Sequence, residues 1–243
     1  MNKIYKKILS CFLAGSCMLS SGIPVTASEV EYSFNTYADS DSYADDEELE
    51  KYEQKFENMT VEELNAYIAD CQTSISGMEN KTEENVIYRI TLKTAWLAAA
   101  RIAKLAGYPC SGKLVEYSVK NRNFSETSTG NKVFGGKIKK TQKFQNYLKT
   151  AKKYTSYTPS AVAFSKSDDK DLYYALRKVN LTFTRVKNGN NISYTAKVTD
   201  KFDFEREFNK SLFTTLVVNW AWLCQQTGVL HPISVGIIIK GLK

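Results

Sequence analysis

Residues 82–109 read TEENVIYRITLKTAWLAAARIAKLAGYP, and the rest of the chain is organised around them. Thr82 is a favourable N-cap, followed by Glu83 and Glu84 in the first turn, where carboxylates suit the positive end of a helix. Lys104, Gly107 and Pro109 supply the matching stop. Between these ends, Val86, Ile87, Ile90, Leu97, Ile102 and Leu105 surround Trp96 and the Ala98–Ala100 run, leaving little polar surface over about six turns. A helix this apolar is either buried on several sides or crosses a membrane. Arg89, Lys93, Arg101 and Lys104 interrupt it, which favours burial inside a soluble domain. None of its side chains is chemically reactive.

On its N-terminal side, Thr60-Val61-Glu62-Glu63 is a capping box, with the threonine accepting from the backbone and Glu63 reaching back. Leu64, Tyr67, Ile68, Cys71 and Ile75 follow at helical spacing, and Gly77 ends the run. The two helices form an antiparallel αα-hairpin on this reading. A turn at Gly77–Lys81 puts Cys71 level with about Arg89. Residues 28–58 are an acidic disordered spacer or a charged helix: Ser33–Asp46 has few aliphatics and no periodicity, and Glu47–Glu57 suits a helix. Residues 1–27 have the form of a signal peptide. Lys3, Lys6 and Lys7 precede an apolar Ile8–Leu19 stretch, and Val25-Thr26-Ala27 provides the small residues of a cleavage site. A lipoprotein would use Cys17, but Ala14-Gly15-Ser16 lacks the usual leucine at its start. No later apolar run is long enough to span a bilayer, so the expectation is an exported protein with no transmembrane segment once the signal is removed.

On the C-terminal side, Ser111–Arg122 reads as a short helix, Asn123–Gly136 as a loop and Lys137–Tyr154 as a further helix carrying Phe144, Tyr147, Leu148 and Ala151. Beyond Pro159 the period becomes two. Ala161–Ser165 is a short strand. Val179, Leu181 and Phe183 then alternate with polar residues, as do Ile192, Tyr194, Ala196 and Val198. Asn188-Gly189-Asn190-Asn191 joins them as a tight turn, centred on either Asn188-Gly189 or Gly189-Asn190. Glu207–Thr227 is a last helix closed by Gly228, and Val235–Ile239 an inner strand covered on both faces. The predicted fold class is α+β, with an N-terminal helical hairpin and further helices packed on a small, mainly antiparallel sheet from the C-terminal half. Residues 59–243 are read as a single domain.

Charge divides the chain sharply. Ser28–Glu63 holds thirteen acids against Lys51 and Lys55, a net −11, whereas Leu64–Lys243 holds thirteen acids against twenty-eight lysines and arginines, a net +15. From Thr127 to Ser167 there is no acid, but nine lysines: Lys132, Lys137, Lys139, Lys140, Lys143, Lys149, Lys152, Lys153 and Lys166. Tyr147, Tyr154 and Tyr157 are interleaved. Such a stretch is either a solvated helix face or a polyanion site. For an exported protein of bacterial type the polyanions at hand are cell-wall anionic polymers and anionic lipid headgroups. Nucleic acid is disfavoured, because lysine dominates the charge and no base-stacking motif appears.

Catalytic patterns are sparse. Three cysteines remain after the signal, Cys71, Cys110 and Cys224, too few for a disulfide framework. Cys71 and Cys224 suit an apolar core. Cys110, beyond a helix stop and in a loop context, is a candidate nucleophile, with the one histidine, His231, as its base and Asp200 or Asp203 to orient the ring. There is no zinc spacing, no phosphate-binding glycine loop and no nucleophile elbow, and no cofactor is expected. Asp168-Asp169-Lys170-Asp171 lacks the glycine and terminal glutamate of a calcium loop and fits a helix start better. Asp200, Asp203, Glu205 and Glu207 have Lys201, Arg206 and Lys210 among them, as a salt-bridged strand end does.

The segments AWLAAARIAKLAGYPCSGKLVEYSV (Ala95–Val119), TDKFDFE (Thr199–Glu205) and NWAWLCQQTGVLHPISV (Asn219–Val235) resemble a recurring pattern in uncharacterised secreted proteins of Gram-positive bacteria. The resemblance implies export and a single domain, and transfers no catalytic residue. The expected function is a secreted, non-enzymatic binding protein at the cell surface, using Lys137, Lys139, Lys140, Lys143, Lys149, Lys152 and Lys153 on anionic polymers. The alternatives are a hydrolase built on Cys110 and His231, and a secreted toxin or effector.

Overall fold

The structure is a computed structural model that describes residues 42–76, 82–160, 162–204 and 221–243. It is an α+β protein. The chain divides into two compact units, Met1–Ala99 with Glu205–Val229, and Ala100–Phe204 with Leu230–Lys243.

The described part of the first unit is helical. Helix α1 (Ser42–Glu57) starts within the stretch read as spacer, and Leu49 and Phe56 bury its inner side. Helix α2 (Val61–Ser76) opens with both bonds of the capping box: Glu63 N donates to Thr60 Oγ1 at 3.2 Å and Thr60 N to Glu63 Oε2 at 2.7 Å. Helix α3 (Thr82–Leu105) crosses from the first unit into the second. Tyr67 Oη donates to Thr94 Oγ1 at 2.8 Å, which sets α2 and α3 in the antiparallel register expected from the turn. Cys71 and Cys224 are buried as expected, and Cys224 lies beside the Trp96 indole. Residues 221–226 end the last helix, with Val229 N donating to Cys224 O across Gly228 at φ 71°. Most of the Glu207–Thr227 helix, the 77–81 turn, the signal peptide and residues 28–41 lie outside the described residues.

The second unit is one layer of helices on one sheet. Helix α4 (Pro109–Val119) begins earlier than expected, because Pro109 does not merely stop α3 but occupies the first turn of the next helix, where its missing N–H costs nothing. Strand β1 (Phe124–Ser128) and helix α5 (Val133–Lys140) replace the expected Asn123–Gly136 loop. Helix α6 (Gln142–Ala151) is separate from α5, so the single Lys137–Tyr154 helix is also corrected. Thr141 makes the break: at φ −70° and ψ 136° its backbone leaves the helix, and its hydroxyl accepts from Phe144 N at 3.2 Å. The remaining elements are β2 (Ser156–Tyr157), β3 (Val162–Ala163), α7 (Lys170–Ala175), β4 (Lys178–Asn188), β5 (Asn191–Phe202) and β6 (Ile233–Leu242).

The sheet order is β1-β6-β5-β4-β2, with β3 also on β4. All pairs are antiparallel except β1 with β6. Asn188 pairs with Asn191, so the hairpin turns through Gly189-Asn190, with Gly189 at φ 58° in the first central position. Strand β6 is internal, but from Ile233 to Ile239 the buried residues Ile233, Val235, Ile237 and Ile239 alternate with half-buried or exposed ones, and Leu242 is buried at its end. One of its faces, not both, is sealed. That face joins Leu181, Phe183, Ala196 and Val198 in a core closed by Leu114 of α4, Ile138 of α5, Phe144 and Leu148 of α6, and Leu172 of α7.

Candidate functional site

The acid-free stretch folds into α5 and α6, whose apolar residues decide which lysines are left outside. Helix α5 buries Phe134, Gly135 and Ile138, and α6 buries Phe144, Leu148 and Ala151 at intervals of three and four. Lys139, Lys140, Lys149, Lys152 and Lys153 are thereby exposed. Lys139 and Lys140 lie in the last turn of α5 and Lys149 in the last turn of α6, where the carbonyl ends favour cations. Lys152 caps α6, and its own carbonyl accepts from Tyr194 Oη at 2.9 Å. The Lys139 stem crosses over Gly130, where a β-carbon would meet its Cδ at 2.6 Å.

Lys137 and Lys143 are placed differently. Lys137 Nζ lies 3.2 Å from Asp169 and 3.5 Å from the buried Asp171, and Lys143 Nζ is 2.8 Å from Asp168 while also donating to the Ala163 carbonyl. Burial acts to lower the Lys137 ammonium, but Asp169 and Asp171 outweigh it and hold it above the usual lysine range. Burial likewise acts to raise Asp168, yet Lys143 and the Ser165 hydroxyl and amide bring it down to about 2. These two lysines tie α5 and α6 to the Asp168–Asp171 stretch. The other five form no ion pair among the described residues.

Three rings lead out of the core beside them. Phe183 stacks on Tyr157 at 6.4 Å and 23°, and Tyr157 on Tyr154 at 5.8 Å and 15°. Tyr154 is 52% exposed and directly follows the exposed Lys152-Lys153 in the chain. Tyr147 instead packs against the core.

Cys110 and His231 are not brought together. Cys110 is fully buried at the first turn of α4, which corrects its reading as an open loop cysteine. The Asp171 carboxylate accepts from Cys110 N and Ser111 N, both at 2.9 Å, and from Ser111 Oγ at 2.8 Å. Burial, then the Asp171 charge, push the thiol far above the range in which a thiolate forms. His231 is held at the other end of α4: its N donates to Ser118 O at 3.0 Å and its carbonyl accepts from Ser118 Oγ at 2.7 Å. Cys110 and Ser118 are eight residues apart on the helix, about 12 Å at the helical rise. Asp203 pairs with Lys201 at 3.2 Å, as a salt-bridged strand end does, and burial with the Asp203 charge pushes Asp200 up to about 6. Glu205 and Glu207 lie outside the described residues.

The three aspartates near residue 170 all have structural work. Asp169 caps α7, accepting from Asp171 N at 2.8 Å and Leu172 N at 3.0 Å. Asp171 caps α4 from sixty residues away, and Glu126 caps α5, accepting from Gly135 N at 2.7 Å. The last two roles have no sequence signal, because donor and acceptor belong to different elements. Among the described residues no helix is long and apolar enough to cross a membrane. Compared with known proteins, the chain matches no family model, no curated protein and no solved structure.

Proposed function

We propose that this is a secreted, non-enzymatic binding protein that grips anionic cell-wall polymers at the bacterial surface through Lys139, Lys140, Lys149, Lys152 and Lys153. The observation that carries the reading is the division among the lysines. Among the described residues, Glu126, Asp168, Asp169 and Asp171 are taken up by Lys137, Lys143 or a helix end, and five exposed ammonium groups remain without an ion pair. Flexible, exposed lysines suit a repeating polyanion, which needs charge density rather than one fixed geometry. The buried, uncharged Cys110 and its separation from His231 weigh against thiol hydrolysis.

Mature protein is expected to sediment with Gram-positive cell walls and to be released by salt, since attraction between exposed charges is screened over about 8 Å at physiological ionic strength. Replacing the five lysines with glutamine abolishes sedimentation on this reading, whereas Cys110→Ala keeps it. Equal binding to walls stripped of anionic polymer would refute the reading. Capture only by anionic lipid vesicles would shift the partner to lipid headgroups.

A further inference from the structure

A second cluster of rings and cations contains none of the lysines of α5 and α6. Tyr173 and Tyr174 leave α7 side by side, edge to face at 5.2 Å and 77°. Tyr108, just before α4, meets Tyr174 edge-on at 6.0 Å and 61°. Lys166 Nζ stands 5.2 Å from the centre of the Tyr173 ring and 5.5 Å from that of Tyr174, and the Arg177 guanidinium 5.8 Å from that of Tyr173.

Tyr174 is 48% exposed, although α7 has already met its packing needs with Leu172 and Ala175. The local sequence contains three aspartates, yet none forms an ion pair with Lys166. Asp168 goes to Lys143 and Ser165, Asp169 to Lys137 and the start of α7, and Asp171 to the start of α4. Lys166 has no ion pair among the described residues.

We propose that Tyr108, Tyr173 and Tyr174, with Lys166 and Arg177, form a binding surface for an acidic sugar unit of a glycan chain. The rings and the cations select different parts of one ligand. A pyranose offers a face of C–H bonds that an aromatic ring attracts, and an ammonium beside that ring meets a carboxylate on the sugar. The intramolecular cation–π contacts hold the ammonium at the rings before any ligand arrives, which limits the ordering cost of binding. A single-stranded nucleic acid is the poorer fit. Successive bases need parallel open faces, whereas these rings stand edge to face with one another. The site shares no residue with the five-lysine surface, so either can fail alone.

The test is isothermal titration of the full mature chain with a tetrasaccharide alternating glucuronic acid and N-acetylglucosamine. The comparison ligands are its carboxyl-reduced, neutral form and an eight-residue oligothymidylate. The acidic tetrasaccharide is expected to bind, with Tyr174→Ala weakening it about tenfold, the equivalent of one aromatic contact. Tyr174→Phe should keep the affinity, Lys166→Gln should lower it, and Lys139→Gln should leave it unchanged. An unaltered melting temperature for Tyr174→Ala separates lost contact from lost fold. Absent binding, equal binding of the neutral sugar, tighter binding of oligothymidylate, or a Tyr174→Ala variant that binds like wild type would each overturn the proposal.

Discussion

Asp171 illustrates how one buried carboxylate can hold three elements. It lies on α7, accepts from two amides and a hydroxyl at the start of α4, and faces Lys137 of α5. Removing one partner from a buried, hydrogen-bonded charge pair leaves the others unsatisfied and costs about 3–5 kcal/mol. Asp171→Ala is therefore expected to lower the urea midpoint by that equivalent with an unchanged m-value; a shift no larger than that of an exposed substitution would contradict the assigned role. Asp200 and Asp168 make opposite pH contributions. Burial raises Asp200 to about 6, so its folded form holds the proton more tightly than the unfolded chain, and stability is lost as pH rises from about 4 through 6. Asp200→Asn, which keeps an acceptor for the Lys201 amide, should match wild type at pH 3.5 and exceed it at pH 7.5 in denaturant unfolding. Asp168 is lowered, so the stability it contributes is complete above its unfolded value near 4 and disappears as pH falls through about 2. Neither sign was legible in the sequence, which shows both residues only as acids among lysines.

At the scale of elements, legibility followed locality. The Thr60 capping box and the alternation in β4 and β5 are complete within short windows, and each formed as read. Strand β1 was hidden, because FSETS has the composition of a loop and its partner β6 begins more than a hundred residues later. Glu126 made the disguise stronger: an inward carboxylate breaks the apolar alternation, yet it is buried to satisfy the start of α5. The break between α5 and α6 was hidden by good helix formers on both sides of Thr141. Its signal was Thr141 three residues ahead of Phe144, an N-cap spacing within an otherwise continuous pattern. Thr141→Ala is expected to cost about 1 kcal/mol, the ordinary loss for an N-cap, while Thr141→Ser retains most of the stability. Chemical denaturation of the two variants checks this, and indistinguishable midpoints would contradict the cap.

For the whole molecule, the same carboxylates that fasten the second unit determine which charges remain available to a ligand. The sequence disclosed the lysine-rich stretch but not its division, because Asp168, Asp169 and Asp171 meet Lys137 and Lys143 only in the folded chain. Likewise Cys110 and His231 looked equally open to chemistry until α4 placed them at its opposite ends. The proposed binding function therefore rests on five lysines rather than seven, and that distinction can be measured. Purified anionic wall polymer should be titrated into the mature protein at a series of salt concentrations, using wild type, the five-lysine glutamine variant and the Lys137→Gln/Lys143→Gln variant. The expected result is a steep loss of wild-type affinity with salt and no measurable binding by the five-lysine variant. The paired-lysine variant should be less stable but should bind with wild-type affinity wherever it remains folded. Salt-independent binding, or unimpaired binding by the five-lysine variant, would contradict the central claim.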